Sequence, residues 1–251
     1  MRERGAAGLA TMPQACARCR VRNGSLCQDF LKPRVGCRGV QPTHSALRRG
    51  DTLFCEGDTA RYAYVIASGV VMAYKVMTDG RRLVTGFLFP GDAMGEDCPD
   101  VHSYSAEAAA DATVCMYPHD GLLALVEADP GLGRQVLKRA HENLSTARDQ
   151  MLMLASMSAR ERVAHFLMRM SAAAVRRGEP ATVLWLPLSR TLIGDHLGLT
   201  METVSRTLTQ FRRERLIAIR GSEIELCDLS TLSELAGLPP PNPVLELLPA
   251  V

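Results

Sequence analysis

The sequence predicts an α+β chain: an N-terminal β-roll, a long helix that pairs with a second copy, and a C-terminal winged helix-turn-helix. Three observations carry this. Short apolar runs punctuated by glycine fill residues 47–118, an unbroken helical pattern runs on to Ser156, and two short helices flank Gly198 ahead of a two-strand wing. The expected division is a cysteine-bearing segment over 1–46, the β-roll over 47–128 and the dimerisation helix over 129–156. The winged helix-turn-helix follows over 157–237, with a loose tail over 238–251.

Composition bounds the reading. A chain of 251 residues with 47% hydrophobic content can bury cores for two domains of ordinary size. A net charge of +2 is too small for a general nucleic-acid coat, so basic character must act locally. No apolar run reaches the ~20 residues of a membrane span, and MRERGAAGLATMPQ lacks the apolar core of a secretory signal. The eight cysteines are therefore expected in a reducing cytoplasm, where metal or redox roles outweigh disulfides.

Residues 1–15 read as disordered. Half of the cysteines then fall within CARCRVRNGSLCQDFLKPRVGC, as Cys16, Cys19, Cys27 and Cys37. A CxxC pair chelates because two thiolates on one turn reach the same centre, and Cys27 follows closely enough to join them. Arg18, Arg20 and Arg22 lower thiol pKa values and offset thiolate charge. All-sulfur ligation selects iron–sulfur or zinc. Direct thiol chemistry is the remaining use.

The roll is read from TLF (52–54), YAYVIA (62–67), VVMAYKV (70–76), RLVTGFLF (82–89) and TVCMY (113–117), with Asp79-Gly80 as a hairpin turn. From Pro130, Leu137, Leu144 and Met151 recur every seven residues, as do Ala140, Ala147 and Leu154. That seam suits self-pairing, and its alanines make it marginal. Ser158 starts another helix, which Gly178 ends. TVLWLPL (182–188) leads onward, and the tail from Pro239 is rich in proline.

Ser189 caps a helix over about 190–197, with Leu192, Ile193 and Leu197 on its inner side. Gly198 turns the chain and Thr200 caps a second helix. There, Val204, Leu208 and Phe211 point inward, while Glu202, Ser205, Arg206, Thr209 and Arg213 point outward. Arginine grips guanine O6 and N7, glutamate accepts from cytosine N4, and serine serves either way. Arg212, Arg213 and Arg215 suit phosphates. Leu216–Arg220 and Glu223–Leu226, joined by Gly221-Ser222, form the wing. Cys227 beyond it reads as a packed thiol. No Ser/His/Asp order, phosphate-cradling loop or paired carboxylate points to an enzyme.

GDTLF…EGD, SGVVMAYKVMTDGRRLVTGFLFPGD and IGDHLGLTMETVSR, in this order, resemble the Crp/Fnr superfamily of bacterial transcription regulators. The resemblance spans roughly residues 16–237. It implies a cyclic-nucleotide-binding-like jelly roll, a homodimer, cytoplasmic location and double-stranded DNA as partner. The CxxC-x7-C spacing is similar to the Fnr-type oxygen sensors of the FnrL, FnrN and cysteine-bearing FixK group. That similarity implies a 4Fe-4S cluster held by Cys16, Cys19, Cys27 and Cys115, with Cys37, Cys55 and Cys98 as other available thiols. The Glu202, Ser205, Arg206 trio matches the Fnr recognition helix and implies TTGAT-type inverted repeats. RNA polymerase is the implied partner of the Thr78–Gly86 hairpin, although Arg81 and Arg82 depart from a more acidic loop. Gly95-Glu96 match the cyclic-nucleotide receptors, but VHSYSAEAA (101–109) has no arginine for a cyclic phosphate, so no cyclic nucleotide is expected.

Overall fold

Strand β3 (Tyr62–Val76) is the spine of the β-roll. It pairs antiparallel with β4 (Arg82–Leu88), with the short β5 (Ala93–Met94) and with β6 (Ser105–Pro118). Strand β6 also carries β1 (Thr43–Leu47) and β2 (Thr52–Phe54). The computed structural model describes residues 19, 21, 26–31, 40–95 and 100–238. The expectations for residues 1–15, Cys16, Cys37, Cys98 and the tail from Pro239 lie outside them.

The sequence predicts two strands where the structure has one. The cause is a bulge around Gly69, where pairing with β6 shifts register between Ile66 and Val71. Gly69 has φ 80°, and a Cβ there would lie 2.1 Å from the Asp111 carbonyl oxygen. A side chain fits neither the conformation nor the space. Strand β6 likewise runs well beyond the predicted 113–117. Strand β1 was not predicted, because an edge strand with one covered face tolerates the polar sequence THSAL.

Two helices that the sequence reading did not separate flank the roll. Helix α1 (Leu26–Leu31) lies in the cysteine-bearing segment, and α2 (His119–Ala128) follows β6 directly. Helix α3 (Pro130–Ser156) starts where its signals place it: Asp129 accepts from the Gly131 N–H at 2.8 Å and proline occupies the first turn. A reciprocal capping box of Ser158 and Glu161 opens α4 (Ala159–Arg176). Beyond it come β7 (Val183–Trp185), α5 (Arg190–Leu197), α6 (Met201–Arg213), β8 (Ile217–Arg220), β9 (Glu223–Leu226) and α7 (Leu229–Leu235). The wing is a three-stranded sheet, β7-β9-β8, one strand wider than predicted.

The largest core joins the two halves of the chain. Val70, Met72, Val84 and Phe89 of the roll share it with Phe166, Ile193, Leu197 and Phe211. At this junction His196 of α5 donates from Nδ1 to the Val84 carbonyl of β4 at 3.1 Å, and its ring packs beside Phe87 and Phe166. A carbonyl only accepts, so Nδ1 carries the proton of a neutral ring.

Burial holds His196 below its ordinary pKa of 6.5, and the hydrogen bond to Val84 offsets part of that effect. Below 6.5 the unfolded chain takes up a proton that the folded chain refuses. The stability is fully present above that pH and is lost as pH falls through the folded value. Urea midpoints should therefore fall between about pH 7.5 and about pH 5.5. His196→Gln should show a smaller fall; an equal one would place the acid sensitivity elsewhere.

Candidate nucleic-acid interface

Helices α5 and α6 cross because two glycines let them. Gly198 takes the left-handed conformation (φ 63°, ψ 38°) that ends α5. A Cβ at Gly194 would stand 2.5 Å from the Leu199 carbonyl oxygen, so the chain entering α6 passes directly over that residue. Ser189 accepts from the Leu192 N–H at 3.1 Å and Thr200 from the Thr203 N–H at 3.2 Å, capping both helices. Ile193, Leu197, Val204, Leu208 and Phe211 are buried, which fixes the opposite face of α6 outward.

On that face Glu202, Arg206, Arg212 and Arg213 are exposed, with Ser205 and Thr209 half-buried between them. Thr209 donates to the Ser205 carbonyl at 2.8 Å, holding its own hydroxyl against the helix. Arg206 reaches Thr203 Oγ1 at 3.4 Å, a weak tether that leaves most guanidinium donors available. The Glu202 carboxyl is held below its usual range by its own backbone N–H, then by the Thr200 hydroxyl and the charge of Arg206. It is therefore an acceptor at neutral pH. An acid, a hydroxyl and an arginine within two turns can read base edges, and the arginines at the far end can meet phosphates. Glu214 beyond them is held by Arg160 at 3.0 Å, and Arg160 also lies over the Phe211 ring.

The cysteines occupy a second region. Cys115 lies on β6 opposite His44 of β1 and Val65 of β3. Cys27 on α1 is buried in the same apolar cluster as Cys115, together with Val65, Leu122 and Leu132. Phe30, one turn after Cys27, packs edge-on against Tyr117 at 5.0 Å, and the Val40 N–H donates to the Phe30 carbonyl at 3.0 Å. Cys19 is half-buried and Cys55 is exposed. The structure thus brings Cys27 and Cys115 into one compartment. Among the described residues, no three His, Cys, Asp or Glu side chains gather as a metal-ligand set. Cys227 is exposed, with Sγ 3.8 Å from the Glu225 carbonyl oxygen, and is not the packed thiol expected. Ile224 and Leu226 of the last wing strand are buried, and the alternation therefore turns Cys227 to the outer face.

Replacing Arg206 with alanine should cost about 1–3 kcal/mol on a cognate duplex and relax the base preference at one position. Arg213→Ala should instead weaken all duplexes alike and lower the salt slope of binding by about one. Titrations of both variants on cognate and scrambled duplexes across salt concentrations separate the two roles; identical profiles would refute this division.

Residues 161–235 match the family described as the Crp-like helix-turn-helix domain, and residues 45–129 match the cyclic nucleotide-binding domain. The chain is 34% identical over 222 residues to the nitrogen fixation regulation protein FixK of Bradyrhizobium diazoefficiens, covering 88% of this chain and 94% of that protein. It is 35% identical over 193 residues to the transcriptional activator protein FnrA of Stutzerimonas stutzeri, covering 76% and 79%. The solved structure of FixK2 from Bradyrhizobium japonicum superposes with a TM-score of 0.73 at 34% identity, over 77% of this chain and 96% of that one. Among the described residues no helix is long and apolar enough to cross a membrane. With its β-roll, long helix and exposed recognition helix, the chain belongs to the Crp/Fnr family of transcription regulators, which bind DNA through the helix-turn-helix and are not enzymes.

Proposed function

We propose that this chain is a transcriptional activator of anaerobic and microaerobic genes, switched by an oxygen-labile 4Fe-4S cluster that controls dimerisation. The observation that carries this reading is the burial of Cys27 and Cys115 in one apolar cluster. They come from the N-terminal segment and from the β-roll, so a centre held by both would tie one to the other. Soft thiolates in a water-poor pocket fit iron–sulfur ligation, and Cys16 and Cys19 would complete the set. The cluster, when bound, supplies the reactivity towards oxygen. The similarity to FnrA, a transcriptional activator, supports activation over repression.

The long helix supports the dimer. Leu137 (69% exposed), Leu144 (48%) and Met151 (61%) stand exposed on the helix, and Ala140 and Ala147 are exposed beside them. Leu154 is half-buried and packs instead toward the DNA-binding core. Burying a leucine or methionine fully is worth about 1.5–3 kcal/mol, and an alanine far less. A seam of this composition is marginal, and a change of a few kcal/mol at its roll end shifts the population between monomer and dimer. The dimer presents two recognition helices about one DNA turn apart, suited to a TTGAT-type inverted repeat. RNA polymerase would meet the exposed Thr78–Gly86 hairpin. Within residues 101–109, His102 stacks on Phe54 at 3.7 Å, and the segment itself contains no arginine to pair with a cyclic phosphate.

Anaerobic purification followed by visible absorbance tests the reading. A brown protein with about four irons per chain, bleaching in air with loss of the dimer, is the expected result. Cys115→Ala and Cys37→Ala, made separately, then identify the fourth thiolate: the first should abolish iron binding and the second should not. A colourless, zinc-loaded chain would overturn the oxygen switch and leave DNA binding intact.

Ala140→Leu with Ala147→Leu should raise the dimer fraction measured in air. A parent and a variant equally monomeric in air would remove the seam from the mechanism.

A further inference from the structure

The geometry points to Arg162 as the positioning residue that fixes the angle between the dimer helix and the recognition helix, and thereby the half-site spacing that the dimer reads. This inference rests on the dimer and the inverted repeat proposed above. Arg162 lies in the first turn of α4, yet its guanidinium bonds to three carbonyls outside that helix. Nη2 donates to Leu154 in the last turn of α3 at 2.8 Å, Nε donates to Met157 at the α3–α4 corner at 2.9 Å, and Nη1 donates to Leu197 at the end of α5 at 3.0 Å. Carbonyls in the last turn of a helix have no partner within it. One planar cation therefore closes the C-terminal ends of two helices at once.

The turn itself rests on the same group. A Cβ placed at Gly198 would lie 3.3 Å from Leu154 Cδ2 and 3.4 Å from Arg162 Nη1. The residue that redirects the chain into α6 is thus backed by the dimer helix and by the guanidinium that bonds to it. Leu197, whose carbonyl is held, stands only three residues before the Thr200 cap of the recognition helix. A rotation of α6 relative to α3 would have to break these bonds. The bond between His196 and Val84 secures α5 to the roll. Gln150 Nε2 of α3 approaches the same Nδ1 at 3.4 Å, but a nitrogen that donates to Val84 cannot accept from Gln150, so this approach does not substitute for the tie. Arg169 bridges α4 to Asp149 and Thr146 of α3, but it touches neither α5 nor the turn.

Lysine cannot replace this fork, because a single ammonium offers no planar array spanning three carbonyls. Methionine keeps the length and removes every donor. The test uses the anaerobically purified full chain as parent, Arg162→Lys and Arg162→Met. Each is titrated with a full TTGAT-type inverted repeat, with the same repeat lengthened or shortened by one base pair, and with a single half-site. The parent should favour one spacing. The variants should keep the parental half-site affinity and dimer fraction while their preference between spacings falls roughly tenfold, about the worth of one lost base-pair contact. Variants that retain the parental spacing preference would overturn the assignment. So would variants that lose half-site and full-site affinity in the same proportion, since that marks a general structural role. A parent that binds the full repeat no better than a half-site would overturn the dimer reading and this inference together.

Discussion

Strands β3 and β6 both enter every core of the described residues, and the constraint on β3 is a change of face at Gly69. Before the bulge, Ala63 and Val65 face the compartment of Cys27 and Cys115, while Tyr64 and Ile66 face the interior of the roll. After it, Val71 faces the interior and Val70, Met72 and Tyr74 face the DNA-binding core. The alternation has slipped by one residue. A regular strand of this length, twisting as it runs, would carry its outer face away from one of these neighbours. The extra residue keeps a single outer surface in contact with the cysteine compartment at one end and with α4, α5 and α6 at the other.

That arrangement gives the two ends of the molecule a shared mechanical element. Strand β6 runs beside β3 along its whole length and carries Cys115, and α2 and α3 continue from it with only Asp129 between them. The N-terminal segment reaches the roll through Cys27 and Phe30 at the end where β6 passes into α2. Helix α3 leaves that end with Leu132 buried in the cysteine cluster and arrives at the other with Met153 buried in the DNA-binding core. Between these anchors Leu137, Leu144, Met151 and Leu152 are exposed. A perturbation among the cysteines therefore meets the first turn of the helix whose last turn holds the helix-turn-helix.

Much of this was legible in the sequence, and the reasons for success and failure are physical. Caps and glycine turns are local, so Ser158, Ser189, Gly198 and Thr200 marked their boundaries correctly. Periodicity separated the two faces of α6 because one is buried and the other is not. Strand β3 was split because a glycine inside an apolar run reads as a turn, whereas here it marks a bulge in a strand buried on both sides. Strand β1 was missed because an edge strand needs no apolar alternation. Helix α1 is short enough that its register is set by Phe30 meeting Tyr117, a contact no local pattern announces. The tie made by Arg162 was invisible for the same reason: its nearest partner is five residues away and its farthest thirty-five.

The same distinction separates what this fold shares from what it makes specific. Reading bases needs only an exposed face on α6, and the sequence of one helix supplies that. Reading two half-sites at a set distance needs α6 fixed relative to a symmetry axis that runs beside α3. Van der Waals packing around Leu154 and Gly198 resists compression but not sliding, since apolar contacts carry no direction. Hydrogen bonds from a rigid fork to three carbonyls do carry direction. On the proposed reading, recognition by the dimer thus depends on two kinds of arginine: those of α6 that would address the DNA, and Arg162 of α4, whose guanidinium donates to backbone oxygens and would give the others their place.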